Sequence, residues 1–247
     1  MGSRDALAKN KLAFGISVGE KGMVWLRLRA TGTAGHGSEP IPDNANIILL
    51  DALRQAMTLP PGGAPHPVVE EMRRVFGGEF AQNKYTSAIQ RNTITLTTLA
   101  AGVGSPGKVN VIPSISEATL DCRLLPGVNA DEFVSELKAR INDPRVTVEI
   151  IQIKVHPGYS STTTPLYAAI RQAILKHHPD AVVTPIIVPH GTDSFYLHQR
   201  GVTNYGFTPM ILDTDTAATM HSDQERIPVT EFLKGIHILY DLLSSPF

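Results

Sequence analysis

From Met23 to Ala30 the chain alternates, with Val24, Leu26 and Leu28 on one parity and Trp25, Arg27 and Arg29 on the other. A period of two predicts a strand with one buried face. Leu12 to Val18 is instead a short apolar run ending at Gly19 and predicts a second strand. After a glycine-rich turn, Pro42-Asp43-Asn44-Ala45 reads as a helix start. Ala45, Ile48, Leu49, Ala52, Leu53 and Ala56 then form an apolar stripe at helical spacing, ending near Met57. Residues 58–91 begin rich in proline and glycine and become helix-like from Val68 to Phe76, and are read as an insertion of undefined form. Asn92–Ala101 and Ser114–Leu124 predict strands, Asp131–Ile141 a helix, and Arg145–Ile153 a further strand. From Met23 to Ile153 the order is therefore βαββαβ, the ferredoxin-like arrangement of an antiparallel sheet with both helices on one face.

Past a linker at 156–165, the pattern changes to a helix through about His177 and an apolar strand at Val182–Val188. A short helix at Asp193–Gln199, a strand at Val202–Phe207 and a closing helix at Pro228–Leu243 follow. The closing helix is expected to bury Phe232, Leu233, Ile236, Leu239 and Tyr240. Helices alternating with apolar strands predict a parallel α/β layer, although one too small to cover its own sheet. The expected fold is thus α/β with an α+β insertion. Residues 1–21 contribute a strand to the α/β part, 22–155 form the inserted domain, and 156–247 complete the chain.

With 247 residues and 42% hydrophobic content, the chain has enough apolar mass for one large core or two smaller ones. Lys and Arg number 22 against 23 Asp and Glu, so no general field draws the protein to nucleic acid or to an anionic membrane. No apolar run approaches the roughly 18 residues of a spanning helix, and the first residues lack the apolar core of a signal peptide. The single cysteine, Cys122, lies in an alternating run and reads as a small strand residue. These features predict a soluble protein in a reducing, cytoplasmic setting.

Two histidines stand out. His36 lies in Thr31-Gly32-Thr33-Ala34-Gly35-His36-Gly37-Ser38-Glu39-Pro40, where glycine lets the backbone hold an imidazole clear of the fold. His221 lies in Met220-His221-Ser222-Asp223-Gln224-Glu225, next to two carboxylates that would otherwise serve as caps for the closing helix. The remaining histidines, at 66, 156, 177, 178, 190, 198 and 237, have no spacing that builds a site and read as surface or structural residues. Gly15-Ile16-Ser17-Val18-Gly19 fits a serine nucleophile elbow, and Asp193 or Asp213 with His221 would complete a triad in hydrolase order. Against that alternative, the residues after Gly19 lead into another strand rather than a helix.

Glu20-Lys21-Gly22, Gly35-His36-Gly37-Ser38 with Pro40 and Asn44-Ala45, Asn110-Val111-Ile112-Pro113, Asp121-Cys122-Arg123, Gly191-Thr192-Asp193-Ser194, and His221 with Glu225 follow one another in this order. The series resembles the zinc peptidases and amidohydrolases that include acetylornithine deacetylase, succinyl-diaminopimelate desuccinylase, aminoacylase and carboxypeptidase S. The resemblance implies a lid or dimerisation domain inserted into a catalytic α/β domain, a homodimer formed through the lid, and an N-acyl amino acid or small peptide as substrate. It further implies a zinc-activated water attacking an amide carbonyl, with His36 entering the partner subunit's active site to stabilise the oxyanion. Asn110 and Arg123 match a substrate-gripping pair, Gly191, Thr192 and Ser194 a substrate-side loop, and His221 the last zinc ligand. The resemblance also marks a departure: the His-x-Asp, bridging Asp and Glu-Glu elements that such enzymes place before the Glu-Lys-Gly segment are not found here. His221-Ser222-Asp223 stands at the wrong end of the chain for the first of these, and Glu70-Glu71 falls within the insertion. The chain is accordingly expected to resemble the C-terminal portion of such an enzyme, with an incomplete metal site. A non-catalytic dimerising or ligand-binding role is the alternative.

Overall fold

The structure, a computed structural model, describes residues 2–4, 6–59, 66–77, 81–155 and 158–245. The chain divides into two compact units, Gly22–Gly63 with Arg91–Val155, and Met1–Lys21 with Ala64–Gln90 and His156–Phe247.

The first of these units is built on strands β3 (Gly22–Thr31), β5 (Thr93–Ala100), β7 (Ile115–Leu124) and β8 (Val146–Lys154), antiparallel in the order β5-β7-β3-β8. Helices α1 (Ala45–Met57) and α4 (Ala130–Ile141) complete it, with a two-residue ladder between β4 (Gly35–His36) and β6 (Val111–Ile112). This is the predicted βαββαβ order. The alternation in β3 sends Val24, Leu26 and Leu28 into a core with Leu120, Cys122 and Leu124, against Ile48, Leu49 and Leu53 of α1 and Phe133, Val134 and Leu137 of α4. On the open face, Arg27 pairs with Glu149 at 2.9 Å and Arg29 with Glu117 at 3.3 Å across neighbouring strands. The helices start on asparagine caps: Asn44 accepts from the Asn46 N–H, and Asn129 from those of Asp131 and Glu132.

The second unit holds a three-stranded sheet in the order β1 (Gly2–Arg4), β2 (Leu12–Glu20), β9 (Val182–Val188), with β2 parallel to β9. The insertion expected within the lid is divided: its helices α2 (Pro67–Phe76) and α3 (Lys84–Ile89) belong to this unit. The reason is the apolar face of α2, whose Met72 and Phe76 pack with Leu7, Ala13, Ile89 and Ile186. Lys21, buried at the end of β2, donates from Nζ to the Ala88 carbonyl at 2.9 Å and so fixes the last turn of α3.

Helices α5 (Pro165–His177), α6 (Ser194–His198), α7 (Thr214–Ala217) and α8 (Val229–Ser244) complete the unit. Two expectations are corrected here. Residues 202–207 form no strand; Ser17 and Gly206 make a single antiparallel bridge, and the Asn204 N–H is taken by the Ser160 hydroxyl at 3.0 Å. Helix α8 buries Gly235, Ile238 and Leu242, whereas Phe232, Leu233, Ile236, Leu239 and Tyr240 are exposed. A second helix-wide apolar stripe, next to the one expected, meets the rest of the unit.

At the α5–α8 junction, Asp241 accepts from Lys176 Nζ at 2.8 Å and lies 2.5 Å from His177 Nε2. The Lys176 hydrogen bond, followed by that of His177, holds the Asp241 carboxyl below its ordinary range. A depressed carboxyl adds stability that is present above its unfolded pKa of about 4 and is lost as pH falls through the folded value. Asp241→Asn should therefore lower Tm at neutral pH, and the difference from the parent should shrink below about pH 4. A difference that stays constant between pH 7 and pH 3 in thermal unfolding would remove this assignment.

Candidate functional site

The glycine turn after β3 is held by its own side chains. Thr33 Oγ1 donates to Asp43 Oδ2 at 2.5 Å, and a Cβ on Gly32 would stand 1.9 Å from the Asp43 carbonyl oxygen. Only glycine fits so close an approach. The turn leads into the β4–β6 ladder, in which His36 faces Val111 and the Gly37 N–H donates to the Asn110 carbonyl at 2.8 Å. His36 and Asn110 are thus neighbours, both exposed.

The His36 ring is oriented by Ser38, whose backbone N–H donates to Nδ1 at 3.3 Å and whose hydroxyl lies 2.7 Å from the same atom. An amide N–H can only donate, so Nδ1 is the acceptor. The neutral ring then carries its proton on Nε2, the nitrogen that points away from this contact. A hydrogen-bond donor is therefore presented to solvent.

Arg123 is not beside Asn110. Gly32 N–H bonds the Ser114 carbonyl at one end of the sheet, whereas Arg123 pairs with Met23 and Thr93 at the other. The eight steps from Ile115 to Arg123 span about 27 Å of strand, so the two cannot grip one small molecule within a single copy. The spacing in sequence crosses a full strand and gives no proximity. Arg123 makes a two-point contact with Asp121, Nε to Oδ1 at 2.8 Å and Nη2 to Oδ2 at 3.0 Å, and Trp25 Nε1 also donates to Asp121 at 3.2 Å. One edge of the guanidinium is thereby fixed in orientation. Cys122 between them is buried, which together with the Asp121 charge pushes its thiol up to about 12 and leaves it unreactive.

In the other unit, Gly191, Thr192 and Ser194 leave the carboxyl end of the parallel β2–β9 pair, the end at which α/β sheets receive ligands. Thr192 donates its hydroxyl to the carboxylate of Glu20, and the Ser194 N–H donates back to the Thr192 hydroxyl at 3.2 Å. Glu20 is 2% exposed. Its role as the anchor of this loop was open to sequence reading only as an acid closing an otherwise apolar strand.

His221 sits in the turn between α7 and α8 with φ at +67°, a left-handed conformation uncommon outside glycine. Glu225 accepts from the His221 backbone N–H at 3.1 Å, so this carboxylate closes the turn rather than capping α8. Among the described residues, no three His, Cys, Asp or Glu groups come together as a metal ion needs. A catalytic zinc takes three protein ligands and a water, and the donors around His221 do not fit that requirement. Ser17 is no nucleophile elbow either: its strand β2 passes into β3 without a helix, and its hydroxyl donates to the Gly19 carbonyl at 3.1 Å. Of the other histidines, His66 caps α2 through Nδ1, His177 pairs with Asp241, His178 stacks near Phe14, and His198 meets the Ser160 hydroxyl. His156 lies outside the described residues.

Comparison with known proteins gives these positions a context. The probable carboxypeptidase S-like 2 of Dictyostelium discoideum is 27% identical over 256 residues, covering 93% of this chain and 48% of that protein. Pig aminoacylase-1 is 29% identical over 245 residues, covering 98% and 54%. The chain spans about half the length of the curated relatives it matches. Among solved structures, the di-peptidase Dug1p of Saccharomyces cerevisiae superposes with a TM-score of 0.64 at 15% identity, covering 99% of this chain and 58% of that one. The M20 metallo-carboxypeptidase Sso-CP2 of Sulfolobus solfataricus gives 0.59 at 16% identity, covering 94% and 64%. Residues 18–149, more than half of the sequence, match the peptidase dimerisation domain of the M20 peptidases, and the chain belongs to that family.

Proposed function

We propose that this chain forms the lid and one part of the catalytic domain of a homodimeric amidohydrolase that cleaves an N-acyl amino acid or small peptide. The observation that carries this reading is the His36 imidazole, oriented by Ser38 with its Nε2 proton toward solvent and beside Asn110. In this reading Nε2–H donates to the substrate carbonyl oxygen as it takes on negative charge, and the Asn110 side chain adds a second donor. Arg123 holds the substrate carboxylate through the part of its fork not committed to Asp121. Gly191, Thr192 and Ser194, anchored on Glu20, line the substrate side. His221 is a single metal ligand. The water-activating metal, its remaining ligands and the general base belong, in this proposal, to the half of the relatives' length that this chain does not span.

The separation of His36 from Arg123 is accounted for by the dimer. Strands β5 and β8 are the two edges of the sheet, and α1 exposes Ile47, Leu50 and Met57. A two-fold axis normal to the sheet pairs like edges antiparallel and reverses strand direction between copies. The His36 end of one protomer then lies alongside the Arg123 end of its partner. Each site would draw His36 and Asn110 from one copy and Arg123 from the other.

Inter-subunit complementation tests this. In the assembly carrying the rest of the relatives' length, His36→Ala and Arg123→Ala dimers should each be nearly inactive. Mixed after dissociation, they should regain about a quarter of parental turnover, because half of the dimers are hybrids and each hybrid holds one intact site. No recovery in verified hybrid dimers would overturn the shared site. Turnover-free binding by the parental assembly would favour the ligand-binding role.

A further inference from the structure

The two edge strands of the lid sheet each break register once, at nearly the same level of the sheet. The β8 pairing with β3 shifts between Trp25 and Leu26 and leaves Ile151 as an extra residue, and the β5 pairing with β7 shifts between Leu96 and Thr98 and leaves Thr97. A bulge bends its strand and re-aims a side chain. Both extra residues line a cavity of about 300 Å³ together with Trp25, Thr119, Leu120 and Asp121. Trp25 alternates with the core residues Val24 and Leu26 and is 37% exposed, so an indole faces outward where the sheet is bent from both edges.

The polar groups around this cavity bond to one another. Asp121 accepts from Trp25 Nε1 and from the two-point contact of Arg123, while the Thr119 hydroxyl lies 2.8 Å from that of Thr97 and 2.6 Å from that of Thr98. What is left for a ligand is the indole, the Ile151 side chain and threonine methyls. Asp121 also fixes where the cavity lies relative to Arg123: Trp25 stands opposite Asp121, which puts Arg123 diagonal to Trp25 at about 7–8 Å. A single amino acid spans that distance, because its carboxylate and its side chain branch from one carbon.

We propose that this cavity receives the side chain of the amino acid released on hydrolysis, that Trp25 determines specificity there, and that the preferred side chain is aromatic. The proposal rests on the reading of Arg123 as the holder of the substrate carboxylate. The acyl group lies across the scissile amide, on the His36 side, so the group beside the carboxylate is the amino-acid side chain. An aromatic ring laid on the indole gains an offset or edge-to-face contact beyond its buried area. An acidic side chain would instead meet the charge of Asp121.

Trp25 is the single tryptophan of the 247-residue chain, so its fluorescence reports occupancy directly. In this chain N-acetylphenylalanine should change the Trp25 emission saturably, and N-acetylalanine should bind at least about tenfold more weakly. N-acetylphenylalaninamide, which lacks the carboxylate, should also bind at least about tenfold more weakly. In the complete assembly, Trp25→Leu should lower kcat/KM for N-acetylphenylalanine by at least about tenfold and for N-acetylalanine by less than about threefold. If that variant lowers Tm, Ile151→Glu, at an exposed edge position that leaves the indole in place, should give the same selective loss in both binding and turnover. An equal response to the phenylalanine and alanine compounds, or no response, would overturn the proposal, as would an equal response to the acid and the amide. Selective binding by the chain with no turnover by the assembly would sustain the pocket and remove the hydrolase reading. Turnover of both compounds without preference would do the reverse.

Discussion

His36→Ala should lower kcat of the complete assembly by about 10² to 10³ while changing KM little, because the loss of one donor to an oxyanion is felt only where negative charge develops. His36→Gln, which keeps a side-chain N–H, should recover part of that loss. Ser38→Ala removes the hydroxyl beside Nδ1 but keeps the amide that donates to it, so its effect should be much smaller than that of His36→Ala. Steady-state kinetics of the three variants on one N-acyl amino acid distinguish the roles. A rise in KM with unchanged kcat for His36→Ala would reassign His36 to ground-state binding.

The sequence was most informative where one side chain period met one buried face. The alternation of β3 and β7 and the stripe of α1 each face a single core, so period and burial coincide, and the βαββαβ order follows from them. It was least informative where contacts cross between segments. The stripe on α2 is as clear as that on α1, yet nothing in its spacing tells that Met72 and Phe76 pack with Ile186 rather than against the lid sheet. Helix α8 carries two adjacent stripes, and periodicity cannot rank them; packing around Gly235, where a Cβ would meet Met210 at 2.9 Å, decides which one turns inward. At the site, the glycines around His36 indicated a working loop because Gly32 has a specific steric cause. The thirteen-residue separation of Asn110 and Arg123 carried no such constraint. A strand separates its ends as effectively as a loop joins them, and only the sheet register shows that these two residues belong to opposite ends.

The isolated chain, supplied with zinc, cobalt or manganese, should not hydrolyse N-acyl amino acids or dipeptides above the His221→Ala control. The argument is a count of donors. A metal that lowers the pKa of a bound water needs three protein ligands holding it in an open geometry, and a base within hydrogen-bond reach of that water. Among the described residues, no such group of three exists, and Glu225 in the His221 turn accepts the His221 backbone N–H. One imidazole in an exposed turn should bind zinc weakly, so calorimetric titration should give a heat barely distinguishable from that of His221→Ala. The lid need not be affected: the Ser38-oriented ring of His36 and the Asp121-held guanidinium of Arg123 depend on contacts within their own unit. Adding the polypeptide that completes the relatives' length should therefore restore turnover without refolding the lid. Robust metal-dependent hydrolysis by the chain alone, abolished by His221→Ala, would show instead that these 247 residues assemble a complete site.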